Sequence, residues 1–282
     1  MKRTIFLLPV ALIMAACSNN TEKASLLLEE ARDMYSNGSL NQAKMRIDSM
    51  RSTYPKEFDL INEGRQLMRQ IELKENERNL AYSDSLLTVK KAEAEMLSKD
   101  FVLEKAEGYE ELGNYILKGL TVERNVERNY IRTGVNEYGD MYIASVYFGK
   151  GNINHTGIRV EIKDGSNAET IAVPYDGGRN YRFTDNGNHT EIVTYKKDKE
   201  NGVINFINHY GNERIKVTYT GGKPYVIYLD DLSKKAIVKT YELAMVLSDI
   251  TRLGQEKKVA EGKIEFLKKK INEKESEKAL SK

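Results

Sequence analysis

The chain reads as an α+β protein: an N-terminal helical hairpin, a long antiparallel two-helix stalk, and an antiparallel β-sandwich-like module inserted between the stalk helices. Three observations predict this. Glycines 38, 64, 254 and 262 lie outside residues 101–229, and the other 16 of 20 lie inside. The flanks are rich in Glu, Lys, Leu and Ala, which favour helix, whereas the middle holds tyrosine, strand residues and turn dipeptides. Apolar residues step by three and four in the flanks and alternate in the middle, as in Ile215-Val217-Tyr219.

Residues 1–16 form a unit of their own. Lys2 and Arg3 precede an apolar run from Ile5 to Met14, and Ala15-Ala16-Cys17 follows. A membrane-spanning helix needs about 20 apolar residues, so this shorter run reads as a cleavable signal peptide. The break resembles the lipobox of bacterial lipoproteins, with Met14 where the family prefers Leu. The resemblance implies that the Cys17 thiol takes a diacylglycerol, that the bond before it is cut, and that the new amine is acylated. The membrane is then a partner through the acyl anchor, and Ser18 suggests the outer membrane of a cell envelope. A plain secretory signal cleaved nearby is the alternative. Cys17 is the only cysteine, so no disulfide framework supports the fold.

Residues 17–23 are a polar, lipidated tether. Over 24–55 the positions Leu27, Ala31, Met34, Gly38, Leu40, Ala43, Ile47, Met50 and Pro55 resemble one tetratricopeptide repeat. The resemblance implies two antiparallel helices in close contact at Ala31 and Ala43, turning at Gly38 and closing at Pro55. Leu27 stands where the family has Trp, and Glu30 where it has Leu. An ordinary helical hairpin gives the same local fold. One unit cannot bury a continuous core, so the hairpin must lean on the next helix.

Residues 56–100 predict that helix, with Pro55 suited to its first turn. Leu60, Leu67, Ile71, Leu86, Val89, Met96 and Leu97 lie near a seven-residue period, interrupted over Lys74–Asn79. Residues 101–231 predict the β-rich module. Strands are expected around Gly108 and Gly113, then at 130–135, 140–148, 157–162, 170–173, 181–183, 191–195, 202–207, 215–219 and 225–229. Alternation implies one buried face per sheet. Residues 232–282 are the C-terminal stalk helix, capped by Asp230-Asp231-Leu232-Ser233. Running back along the earlier helix, it is expected to bring Leu247 near Leu86 and Ile264 near Ile71. Pairing with a second copy, as a homodimer through the stalk, is the alternative.

A net charge of +2, from 44 basic and 42 acidic residues, gives no bulk-charge signature of nucleic-acid binding. No catalytic residue, metal site or cofactor is assigned. His155, His189 and His209 match no ligand spacing, and Asp185-Asn186-Gly187-Asn188 lacks the closing glutamate of a calcium loop and reads as a hairpin turn. No Gly-x-Ser-x-Gly, phosphate loop or dinucleotide fingerprint is present. Asp48-Ser49-Met50 and Asp84-Ser85-Leu86 resemble an O-glycosylation triplet of some bacterial periplasms.

Ligand-binding candidates are Tyr175, Arg179, Asn180 and Tyr181, where aromatic faces could stack on a sugar and Arg or Asn fix its hydroxyls. The expectation is therefore a lipid-anchored envelope protein that acts as a non-catalytic binding or assembly module for an envelope protein or glycan. A carbohydrate-binding protein or hydrolase using the loops of the β module is the second reading, since carboxylate pairs meet only in three dimensions.

Overall fold

The computed structural model describes residues 11–105 and 111–280, with the side chains of 11–18 and 278 excepted. The chain divides into two compact units, Met1–Asp84 with Gln255–Lys282, and Ser85–Gly254. Helices α3 (Phe58–Ser98) and α5 (Asp231–Leu280) each contribute to both.

In the first unit, α1 (Ala11–Ser36) and α2 (Leu40–Thr53) make the hairpin. Asn19–Lys23, read as a tether, are helical and belong to α1. Gly38, at φ +79°, ends α1: its N–H bonds the Tyr35 carbonyl at 3.1 Å and the Ser39 N–H bonds that of Met34 at 2.8 Å. This pair of bonds caps the last carbonyls of the helix. Ala24, Leu28, Ala31, Ala43, Ile47 and Met50 are buried together with Ile61, Leu67 and Ile71 of α3, so the hairpin does lean on the next helix. Gly64 permits the approach, since a Cβ there would stand 2.9 Å from Met50 Cε and 3.3 Å from Ile47 Cγ2.

Helix α3 begins three residues after Pro55, which lies in the turn. It continues unbroken through Lys74–Asn79, whose residues tolerate helix well. There Glu75 pairs with Lys44 and the Lys74 ammonium sits 5.0 Å from the Tyr35 ring centroid. In this unit α5 runs antiparallel to α3, with Lys257 to Asp84 at 2.5 Å and Lys268 to Glu77 at 3.2 Å. Ala260, Ile264 and Leu267 form its buried stripe. The register differs from the expected one: with Lys268 opposite Glu77, Ile264 falls beyond Ile71 toward the C-terminal end of this stretch of α3.

The second unit contains two antiparallel sheets. The larger orders β1 (Phe101–Glu104), β2 (Asn114–Leu117), β3 (Tyr130–Asn136), β4 (Met141–Gly149), β8 (Asn188–Tyr195) and β7 (Asn180–Asp185). The smaller orders β10 (Tyr225–Tyr228), β9 (Lys216–Thr220), β5 (Gly157–Glu161) and β6 (Asn167–Glu169). Ile143, Val193 and Tyr195 of the first meet Ile158, Val160, Val217 and Tyr219 of the second in one core. The opposite face of the larger sheet, including Ala144, Val146 and Ile192, is covered by Ala236, Leu243 and Leu247 of α5 and by Ala94 and Leu97 of α3. The larger sheet is therefore buried on both faces over its centre. Alternation alone predicted one buried face, because a helix distant in sequence supplies the second cover.

Here too α5 is antiparallel to α3: Asp249 lies 3.5 Å from Lys90, and Lys239 pairs with Asp100. Leu247 thus joins Ala94 and Leu97 rather than lying near Leu86. Val89 and Met96, expected in the seam, are 60% and 69% exposed, while Leu87 is buried.

Two strand expectations fail. Residues 170–173 are irregular, and the short edge strand is β6. Of residues 202–207, 203–207 belong instead to helix α4 (Val203–His209), entered through left-handed Asn201 and Gly202 at φ +49° and +84°. Val203, Ile204 and Ile207 share one helical face and are all buried, whereas a strand would split 203 from 204 across its two faces.

Candidate functional site

Inside the sandwich a polar chain crosses the core. Ser145 of β4 and Glu191 of β8 point inward between apolar neighbours, and both are 0% exposed. Glu191 accepts hydrogen bonds from the N–H groups of Ile153 (2.7 Å), Asn154 (2.8 Å) and His155 (3.1 Å), and from His155 Nδ1 at 2.9 Å. His155 Nε2 lies 2.8 Å from Ser145 Oγ, which is 3.1 Å from the Tyr195 hydroxyl. Burial pushes the Glu191 carboxyl up, but the His155 ring and the three backbone donors outweigh it and hold it at about 2, below its ordinary 4.5. An ionised carboxylate only accepts, so Nδ1 donates, and in the neutral ring Nε2 accepts from Ser145. The order resembles a nucleophile–base–acid relay. With Ser145, His155 and Glu191 all 0% exposed, substrate has no path to the hydroxyl, and the chain acts as a strut fastening residues 153–155 to β8.

The accessible feature lies on the other face of the larger sheet, beyond the part covered by α5. Tyr130, Val146 and Ile192 sit side by side on β3, β4 and β8, and Phe148, Thr190 and Phe183 form the next row on β4, β8 and β7. With the 122–128 segment they line a cleft of about 150 Å³. Asn125, only 4% exposed, holds that segment by donating to the Gly119 carbonyl at 3.0 Å and the Thr121 carbonyl at 2.9 Å. Its Oδ1 accepts from Arg128 at 2.5 Å, and Arg128 also reaches Asp230 at 3.1 Å. Asp230 in turn caps α5, accepting from the Ser233 N–H at 2.9 Å. The segment is thus a bonded wall, and Val126, 67% exposed, lines the same cleft as Phe183, 49% exposed.

Two cations stand at this end of the sheet. Arg128 is engaged as described, but the buried Nε of Arg132 meets no hydrogen-bond acceptor among the described residues. The Arg128 guanidinium lies 5.4 Å from the Tyr130 ring centroid, and burial pushes the Tyr130 phenol up while Arg132 and Arg128 pull it down. Glu127 and Asp185 are exposed at its mouth.

The four ligand candidates do not converge. Tyr175 is exposed, with the Arg182 guanidinium 5.2 Å from its ring centroid. Arg179 pairs with Asp198 at 3.1 Å. Asn180 is 0% exposed and donates to the Val173 carbonyl at 2.7 Å, so it serves the core. Tyr181 points to the opposite face, beside the cleft, stacked with Phe183 at 6.4 Å between centroids. Successive residues of a strand face opposite sides, which separates 180 from 181.

Cys17 lies outside the residues whose side chains are described. Asn186 and Gly187, at φ +49° and +72°, form the expected two-residue hairpin turn. The three histidines are apart, and the described residues contain no group of three or more His, Cys, Asp or Glu able to hold a metal. Sequence reasoning missed the cleft and the strut. The available signal was inward parity: Ser145 and Glu191 interrupt apolar faces of their strands, a position that demands buried partners.

The fold and these two features define a protein whose two-sheet module is pinned internally by a buried carboxylate and carries an apolar cleft on its outer sheet face. Comparison of the chain with protein-family models, with curated proteins and with solved structures finds no match.

Proposed function

We propose that this chain is a cell-envelope lipoprotein, anchored through Cys17 to the outer membrane, that works as a non-catalytic binding or assembly module, and that the cleft walled by residues 122–128 is where its envelope partner docks. The observation that carries this reading is the exposure of Val126 and Phe183 in the lining of one apolar recess, whose 122–128 wall is bonded by Asn125 and Arg128. Apolar surface maintained on a bonded scaffold favours a partner that buries it. The signal-like residues 1–16 and the single cysteine support the anchored location. No described helix is long and apolar enough to cross a membrane, so under this reading attachment falls to the acyl chains.

A photo-crosslinking residue placed at Val126 or Phe183 in cells should yield a discrete adduct that the same residue at Lys163, on the remote β5–β6 turn, does not. Equal adducts at all three positions, or none at Val126 and Phe183, would remove the docking surface. Cys17→Ala should shift the protein from the membrane to the soluble fraction, and retention in the membrane would remove the anchor.

A further inference from the structure

We infer that the end of the helical unit from which α3 starts is a bilayer-facing surface: Phe58 enters the headgroup layer beside the acyl chains of Cys17, and the unit stands end-on upon the membrane. This rests on the anchored reading above and adds how the anchored unit meets the lipid. Distance from the anchor sets the first limit. Helix α1 runs without a break from Ala11 to Ser36, so no flexible spacer follows Cys17. Thr21 lies one turn on, about 6 Å along the axis, and its hydroxyl donates to Glu57 Oε2 at 2.9 Å. Phe58 is the next residue and the first of α3. A path of about 20 Å at full stretch therefore joins Cys17 to Phe58, which keeps the ring within reach of the headgroup layer once the acyl chains are inserted.

The side chains at this end set the second limit. Phe58 is 71% exposed although it begins a helix that is otherwise packed on the hairpin. Helix α5 returns antiparallel to α3 with Lys268 opposite Glu77 at 3.2 Å. Continued at about 1.5 Å per residue, that register brings Leu280, 90% exposed, level with the first two turns of α3. Single exposed apolar residues are ordinary, but these two stand at the end that carries the anchor, where a lipid surface covers them. An aromatic ring suits the boundary between headgroups and acyl chains. Charge sets the third limit. Lys23 and Lys56 are exposed beside Glu22 and Asp59, and Arg51 pairs with Asp48 at 3.7 Å, so the signs balance. The contact is then apolar and requires no anionic lipid.

The chain contains no tryptophan, so a single one introduced at either of two exposed positions reports alone. The test places the membrane-extracted protein, its acylation read by mass, in nanodiscs of phosphatidylcholine that is either plain or brominated near the top of its acyl chains. Phe58→Trp is compared with Tyr82→Trp, an exposed position about 36 Å further along α3. Phe58→Trp should emit at shorter wavelength than Tyr82→Trp and lose emission to the brominated lipid, while Tyr82→Trp keeps its emission. Raising the salt concentration should change neither result. An acylated protein whose Phe58→Trp emission survives bromination overturns this inference and leaves the anchor standing. Equal quenching at both positions also overturns it, because the unit then lies along the bilayer, and quenching abolished by salt would replace the apolar contact with an electrostatic one. A chain with no diacylglycerol on Cys17 sinks the anchored reading and this inference together.

Discussion

Replacing Glu191 with Gln removes a charge and little else from the middle of the sandwich. In the folded protein its carboxyl sits at about 2 against an ordinary 4.5, because four hydrogen bonds to the charged form outweigh burial. At roughly 1.4 kcal/mol per pKa unit, that lowering corresponds to about 3 kcal/mol of stability at neutral pH. A folded-state value below the unfolded one stabilises fully above 4.5, and the contribution is lost as pH falls through 2. At pH 3 about 1 kcal/mol should remain. The glutamine side chain keeps the volume but offers one acceptor oxygen where two served, so Glu191→Gln should cost about 3 kcal/mol at pH 7 and converge on the parent near pH 2. Glu191→Ala should cost more, about 3–5 kcal/mol, since buried donors lose their acceptor. Urea unfolding of the protein lacking residues 1–17, followed by circular dichroism at pH 7, 5 and 3, measures both quantities. A gap below about 0.5 kcal/mol at pH 7, or one that does not shrink between pH 7 and pH 3, would refute the strut.

Tyr219→Phe removes a fully buried hydroxyl that donates to the Val146 carbonyl at 3.0 Å and approaches that of Tyr130 at 3.3 Å; a loss of about 1 kcal/mol or more in urea unfolding is expected. Gly64→Val should destabilise the helical unit by about 1–3 kcal/mol, because its β-carbon would press on Met50 and Ile47, and an unchanged midpoint would show that the hairpin packs elsewhere. Gly187→Val should cost about 1–2 kcal/mol through its left-handed backbone, read from the same transition. Cysteines at 94 and 247, with Cys17 replaced, should be joined by a short bismaleimide within one chain, whereas a pair at 86 and 247 should not; the reverse result would restore the register expected from sequence.

Local rules made much of the architecture legible. The buried set Ala31, Ala43, Ile47 and Met50 was readable from helical spacing, Gly38 from its place after the last periodic residue, and the Asn186-Gly187 turn from the dipeptide itself. Each of these depends on neighbours within a few residues. Register between α3 and α5 was not readable, because an apolar stripe specifies that a partner exists but not which residue faces which. Val89 and Met96 keep a seven-residue step yet stay exposed, since the sheet beside them draws Ala94 and Leu97 inward instead. Helix α4 was hidden by its Val203-Ile204 pair, which suits strand and helix alike until tertiary packing buries both on one side.

By itself, then, the sequence determined the class of fold, the order helix, sheet, helix, and the positions of the turns, since these follow from backbone preferences and the periods 3.6 and 2. Only the tertiary structure decided what the inward polar residues do. Ser145, His155 and the β8 pair Glu191 and Tyr195 come from three separate places along the chain, and the carboxylate takes its acidity from backbone donors about 36 to 38 positions away. The same holds for the cleft, whose floor, wall and cation are brought together by strand pairing and by the bonds of Asn125, contacts that no local pattern encodes.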